Sequence, residues 1–191
     1  MILTKTSLGS RGQLAAMAAS VVADEGARDV SGVETKSESA RRHDSRQRGV
    51  ILLIEDDHGD QLLTCEALSE SALAYKIAVV SDGEEALEYL NRRGRYSDAA
   101  LAPRPDLILL DLNMPKINGR QIAATLKSDA EFAAIPIVVL STSDYHDDVA
   151  HCYKIGVNSY VHKPTNYDDF VAAINAVEHY WLRVVQPAPR P

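Results

Sequence analysis

Four apolar runs in this 191-residue chain each end on a side chain that can do chemistry. Val50 to Ile54 runs into Glu55 and Asp56, Leu107 to Leu110 into Asp111, Ile137 to Leu140 into Ser141, and Tyr160-Val161-His162 into Lys163. Three carboxylates, a hydroxyl and an ammonium together suit the acceptance of a phosphoryl group. A carboxylate attacks phosphorus only if the repulsion between two anions is relieved, and a divalent cation relieves it most directly. Glu55, Asp56 and Asp111, with a backbone carbonyl and water, offer the oxygen set of octahedral Mg²⁺. Asp111 is then the natural nucleophile, Lys163 a fixed positive charge for one phosphoryl oxygen, and Ser141 a hydroxyl donor to another. Taken singly, each group has a plainer explanation. Acids after a strand cap helices, as Asp57 is expected to; a Lys before Pro is often a surface charge; a Ser often closes a turn. Those explanations would have to hold at four strand ends at once.

More than a hundred positions separate Glu55 from Lys163, so the fold must gather them. In a doubly wound sheet the parallel strands point their carboxyl ends at one edge, and ligands bind there where the strand order reverses. Apolar runs and helical periods do alternate along the chain: strands at 50–54, 76–80, 106–110, 136–140 and 159–162, helices near 58–70, 83–93, 119–128, 145–155 and 167–184. Five of each imply an α/β protein with a five-stranded parallel sheet covered on both faces, its strands continuously apolar and fully buried. Asp82-Gly83 and Asn118-Gly119 mark helix starts, and Gly156 a helix end. The long Arg92 to Pro105 loop falls on the edge away from the polar strand ends.

The last helix is extended. Phe170, Ile174, Val177, Trp181 and Val184 recur at three- and four-residue steps, Asp168-Asp169 favour its positive end, and Pro187 and Pro189 stop it. Its final part, with Tyr180, Trp181, Val184 and Val185, reaches beyond what five strands should cover and predicts a self-association patch.

Composition bounds the rest. With 46% apolar residues the chain can bury one good core. Residues 1–48 show no sustained period and read as a flexible arm, 49–186 as the folded domain, and 187–191 as a Pro-rich tail. Leu14 to Val22 could form a short amphipathic helix within the arm. The net charge of −7 is uneven, with eight basic against six acidic residues up to Gly49 and 12 against 21 beyond it. An acidic domain is poorly suited to nucleic acid. Cys65 and Cys152 have no metal or redox spacing and read as idle thiols. No apolar stretch approaches the ~20 residues of a membrane helix. Lys5 and Arg11 before Leu14 to Ala23 mimic a secretory leader, but the run is alanine-rich and stops at Asp24-Glu25.

Several segments together resemble the receiver domain of response regulators, of the chemotaxis-regulator type: Ile51 to Asp57, Asp111-Leu112-Asn113-Met114-Pro115 with Asn118-Gly119, Leu140-Ser141-Thr142, and Tyr160-Val161-His162-Lys163-Pro164. The resemblance covers Val50 to about Pro187. It implies a flavodoxin-like strand order 2-1-3-4-5 and phosphorylation of Asp111 by a sensor histidine kinase. It also implies Mg²⁺ on Asp56, Asp111 and the Asn113 carbonyl, with Glu55 acting through water, and a cis Lys163-Pro164 bond. Ser141 and Tyr160 become the switch, the hydroxyl moving toward the phosphoryl group and the ring turning into the space vacated. Thr142, where Ala is frequent, narrows that space. Asn113 and Ser143 flank the path of a hydrolytic water. More narrowly, the long loop, the Leu-Ser-Thr-Ser run and the Tyr-Trp-Leu ending are similar to regulators paired with cyanobacterial and bacterial phytochromes, a group whose last helix contributes to homodimers.

Two rivals exist. An aspartate-nucleophile phosphatase carries a second Asp two positions after the first as general acid, where this chain has Asn113, so a signalling protein is expected rather than an enzyme. A phosphorylation-independent adaptor would have lost the acceptor, the acid pair or the lysine, and all are present. After Lys163 only 28 residues follow, so output is expected through protein contacts or onward phosphotransfer. A kinase donor implies a cytoplasmic location.

Overall fold

Each strand that the apolar runs anticipate is formed, within one residue, in the computed structural model, which describes residues 49–69 and 75–188. The expected arm at 1–48, its Leu14–Val22 helix and the last three residues of the tail lie outside the described residues. The order is β1 (Val50–Ile54), α1 (His58–Ser69), β2 (Lys76–Val80), α2 (Gly83–Leu90), a 3-10 turn (Gly94–Tyr96), β3 (Leu107–Asp111), α3 (Gly119–Ser128), β4 (Ile137–Ser141), α4 (His146–Lys154), β5 (Ser159–His162) and α5 (Tyr167–His179). All pairings are parallel and the sheet runs β2-β1-β3-β4-β5. The order reverses between β1 and β3, which places the carboxyl ends of those two strands at the switch point.

Strand alternation divides the core. Leu52, Ile54, Ile108, Leu110, Ile137 and Val139 face α2 and α3, where Ala86, Tyr89, Ile122, Ala123 and Leu126 meet them. Ile51, Leu53, Leu107, Leu109, Val138 and Leu140 face the other layer, with Ala67 and Leu68 of α1 and Phe170 and Ile174 of α5. Each such aliphatic side chain contributes about 1.5–3 kcal/mol by leaving water. The expectation of five fully buried strands holds for β1, β3 and β4 and fails for β2 and β5. Those two are the sheet's edges and have a neighbour on one side only, so Lys76 and Val79 reach solvent.

Helix starts follow their caps. The Asp82 side chain accepts from the Glu85 N–H at 2.8 Å. Asn118 and Gln121 exchange side chain and backbone in a capping box at 3.0 and 3.2 Å. Gly119 is required for packing: a Cβ there would collide with the Asp111 carbonyl and the Leu112 backbone. Gly156, with φ of 96°, closes the chain after α4 in the left-handed region that glycine tolerates.

Two expectations need correction. The last helix does not run as one α-helix to 184; it is α-helical to His179 and continues as a π-helical turn over Tyr180–Val184. Within it, Trp181 and Leu182 pack with Val177 against the α1/α5 core layer. Of the four residues expected as an open patch, Tyr180 and Val184 are exposed, while Trp181 and Val185 are half-buried. Nor is the Lys163-Pro164 bond cis, since no cis peptide occurs among the described residues. The trans form is the more stable one for X-Pro, by about 0.5–1 kcal/mol.

Candidate functional site

The carboxyl edge of the sheet collects the expected groups, and Lys163 organises them. Its ammonium, 7% exposed, donates to Glu55 Oε2 at 2.6 Å and to Asp60 Oδ2 at 2.7 Å, and lies 3.4 Å from Asp111 Oδ1. Its backbone N–H donates to the Ser141 carbonyl at 2.7 Å, fixing the end of β5 to the end of β4. Glu55 is buried at the end of β1, Asp56 beside it is exposed, and Asp111 is buried as the last residue of β3.

The charges explain the ionisation. Burial pushes the Glu55 carboxyl up from its ordinary value and Asp111 adds repulsion, against the pull of Lys163. Burial pulls the Lys163 ammonium down, but its bonds to Asp60 and Glu55 and the charges of Asp111 and Glu55 outweigh that pull, so its pKa is raised and it stays charged. One cation thus serves three acids, which leaves the edge with uncompensated negative charge.

That surplus is what a divalent cation needs. Ligand oxygens of Glu55, Asp56 and Asp111 all lie within 4.8 Å of one another, a hard oxygen donor set that fits a divalent metal. Asn113, exposed just beyond β3, donates its N–H to Asp111 Oδ2 at 2.9 Å.

Ser141 is fully buried at the end of β4, and its Oγ accepts from the Ser143 N–H at 3.1 Å. Ser143 reaches further than its expected place beside a water path. Its hydroxyl donates to Asp148 Oδ2 at 2.6 Å, and its carbonyl accepts from the Tyr160 hydroxyl at 2.8 Å. Arg120 of α3 pairs with Asp148 at 2.6 Å. The Ser143 bond, with Arg120 and His151, holds the Asp148 carboxyl below its usual range against some desolvation. Both expected switch residues are therefore tied to one loop residue. Tyr160 itself is half-buried against the α2/α3 core layer.

Asp57 caps α1 as expected, accepting from the Asp60 N–H at 2.9 Å. Sequence reasoning missed Asp60. It stands one turn into α1, a position where acids favour the helix dipole, and that ordinary reason masked its bond to Lys163; the acid's spacing of three from the cap was the available signal. Beside Asp60 and Lys163 a cavity of about 360 Å³ opens, lined also by Leu63, Thr142, Pro164 and Phe170. Tyr180, Trp181, Val184 and Val185 belong to the π-helical turn at the far end of α5 and are not part of this cluster. The thiols are free as expected, and burial pushes both up.

A parallel sheet of this order, with an acid trio and a lysine at its carboxyl edge, defines a receiver domain. The chain belongs to that family: the response regulator receiver domain matches residues 51–175. Among its relatives is response regulator Rcp1 of Synechocystis sp. PCC 6803, 40% identical over 136 residues that make up 71% of this chain and 90% of the relative. The phosphorylated cyanobacterial phytochrome response regulator RcpA superposes with a TM-score of 0.71 at 40% identity, over 75% of this chain and 100% of that one. The Mn²⁺-bound form of Rcp1 does so with 0.69 at 38% identity, over 74% and 99%.

Proposed function

We propose that this response regulator accepts a phosphoryl group on Asp111 from the phosphohistidine of a sensor kinase and signals through altered protein contacts. The Asp111 carboxylate attacks phosphorus, the N–P bond breaks, and the imidazole leaves carrying a proton. Glu55, Asp56 and Asp111, with the Asn113 carbonyl, are the residues that would hold Mg²⁺. The chemistry that Mg²⁺ supplies there is neutralisation of charge on the transferred oxygens. Lys163 pairs with one phosphoryl oxygen and the Ser141 hydroxyl donates to another, and Ser143, bonded to both Ser141 and Tyr160, links that hydroxyl to the switch tyrosine. The observation that carries this reading is the buried lysine 3.4 Å from Asp111, in a site whose three carboxylates converge within 4.8 Å.

The relatives' association with phytochromes supports a red-light-sensing kinase as donor, and the exposed Tyr180 and Val184 support a homodimer through the end of α5. No helix among the described residues is long and apolar enough to cross a membrane, in keeping with a cytoplasmic regulator. The receiver unit is assigned to 49–186, with 1–48 an arm and 187–191 a tail. Intact mass after incubation with acetyl phosphate tests the function. One phosphoryl adduct that needs Mg²⁺ is expected on the wild type and none on Asp111→Asn. Failure with acetyl phosphate and with a histidine kinase donor alike would favour a phosphorylation-independent adaptor.

A further inference from the structure

Lys163 has more carboxylates than a phosphoryl-binding cation requires, and the extra one is Asp60. Asp60 lies on α1, outside the two strand ends that carry the acid trio. It holds the ammonium at 2.7 Å, against 3.4 Å for Asp111. The remaining partner, Glu55, belongs to the metal-ligating trio, so a cation bound there draws on the same carboxylate that Lys163 uses. Among the described residues, Asp60 is the one carboxylate bonded to the Lys163 ammonium that does not belong to the trio.

We propose that Asp60 is a positioning residue for phosphoryl transfer: it keeps the Lys163 ammonium beside Asp111 rather than on it. A lysine in full contact with the acceptor would withdraw the electron pair that must attack phosphorus. A lysine held at 3.4 Å from the acceptor, beyond the 2.7 Å of its bond to Asp60, leaves the carboxylate free and stands ready for the incoming phosphoryl oxygen. Asp60 and Lys163 both line the cavity beside the site. The inference rests on Asp111 being the acceptor.

The test compares wild type, Asp60→Asn, Asp60→Glu and Asp111→Asn with acetyl phosphate at saturating Mg²⁺, following the adduct by mass. The Lys163 side-chain ammonium is followed in parallel by NMR. Asp60→Asn, nearly equal in shape, should be phosphorylated about tenfold more slowly and shift the Lys163 resonance, and Asp60→Glu should restore much of both. A purely helical role would alter the melting temperature alone. Wild-type rate and an unmoved Lys163 signal in Asp60→Asn would overturn the inference while leaving Asp111 as acceptor. An unlabelled wild type would overturn both.

Discussion

The two edges of the sheet use the same residue types in opposite ways. At the carboxyl edge, Lys163 bonds side chains, and Glu55, Asp60 and Asp111 crowd one cation, with Asp56 beside Glu55 and Asp111. At the amino edge, long polar side chains bond mostly backbone carbonyls: Lys127 donates to those of Ala133 and Ile135 at 3.1 and 2.9 Å, and also to the Asn158 side-chain Oδ1 at 2.9 Å. Tyr89 donates to the Pro103 carbonyl at 2.9 Å, and Arg104 to the Glu131 carbonyl at 2.6 Å. The first arrangement sets several carboxylates against one ammonium; the second leaves loops closed and polar groups satisfied. The lesson is that reactivity and stability are built at opposite ends of the same strands. Substitutions should separate the two.

The sharpest separation is expected from Asp111→Asn, which should lose the phosphoryl adduct entirely while its denaturation midpoint holds or rises, because one of several crowded like charges is gone. A large drop in midpoint would break the division between edges. Next, Lys163→Met should cost about 3 kcal/mol in chelator by urea denaturation, since it strands buried Glu55 and Asp111. Its raised pKa means that this contribution is fully present below the ordinary lysine range and lost only at higher pH. Added Mg²⁺ should recover part of the loss in the variant.

The amino edge should behave in reverse. Lys127→Met removes three hydrogen bonds and should cost about 2 kcal/mol, with the rate of labelling by acetyl phosphate unchanged. A changed rate would mean that the α3 end communicates with the site. Tyr89, buried and with its phenol pushed up to about 12 by desolvation and by Tyr96, should give the smallest effect. Stability should be intact below the ordinary phenol range and fall by about 2 kcal/mol as pH rises from ~10 to ~12, where the unfolded chain ionises first. Tyr89→Phe should cost about 1 kcal/mol at neutral pH and abolish that alkaline fall.

The carboxyl edge was the more legible of the two in the sequence. Continuous apolar runs place Glu55, Asp111, Ser141 and Lys163 at strand ends, and strand parallelism does the gathering, so neither needs knowledge of side-chain packing. Cap chemistry at Asp82 and Asn118 was equally local. What escaped was non-local. Asp60 bonds Lys163 103 residues away and the Ser143 carbonyl bonds Tyr160 17 residues away, and neither the helix-start position of the first nor the expected water-path role of the second discloses that partner. Full burial was over-assigned to β2 and β5 because an apolar run does not say which strands stand at an edge. The π-helical turn was invisible because an apolar stripe at steps of three and four fits an α-helix as well.

The location of the phosphoryl group is the claim on which the rest depends. Wild-type protein phosphorylated with acetyl phosphate and Mg²⁺ can be reduced with borohydride, which converts an acyl phosphate on aspartate to homoserine, and the product mapped by peptide mass. Homoserine at position 111 alone is the expected result; reduction at Asp56 or Asp60, or a phosphoryl group stable to borohydride on another residue, would contradict the assignment.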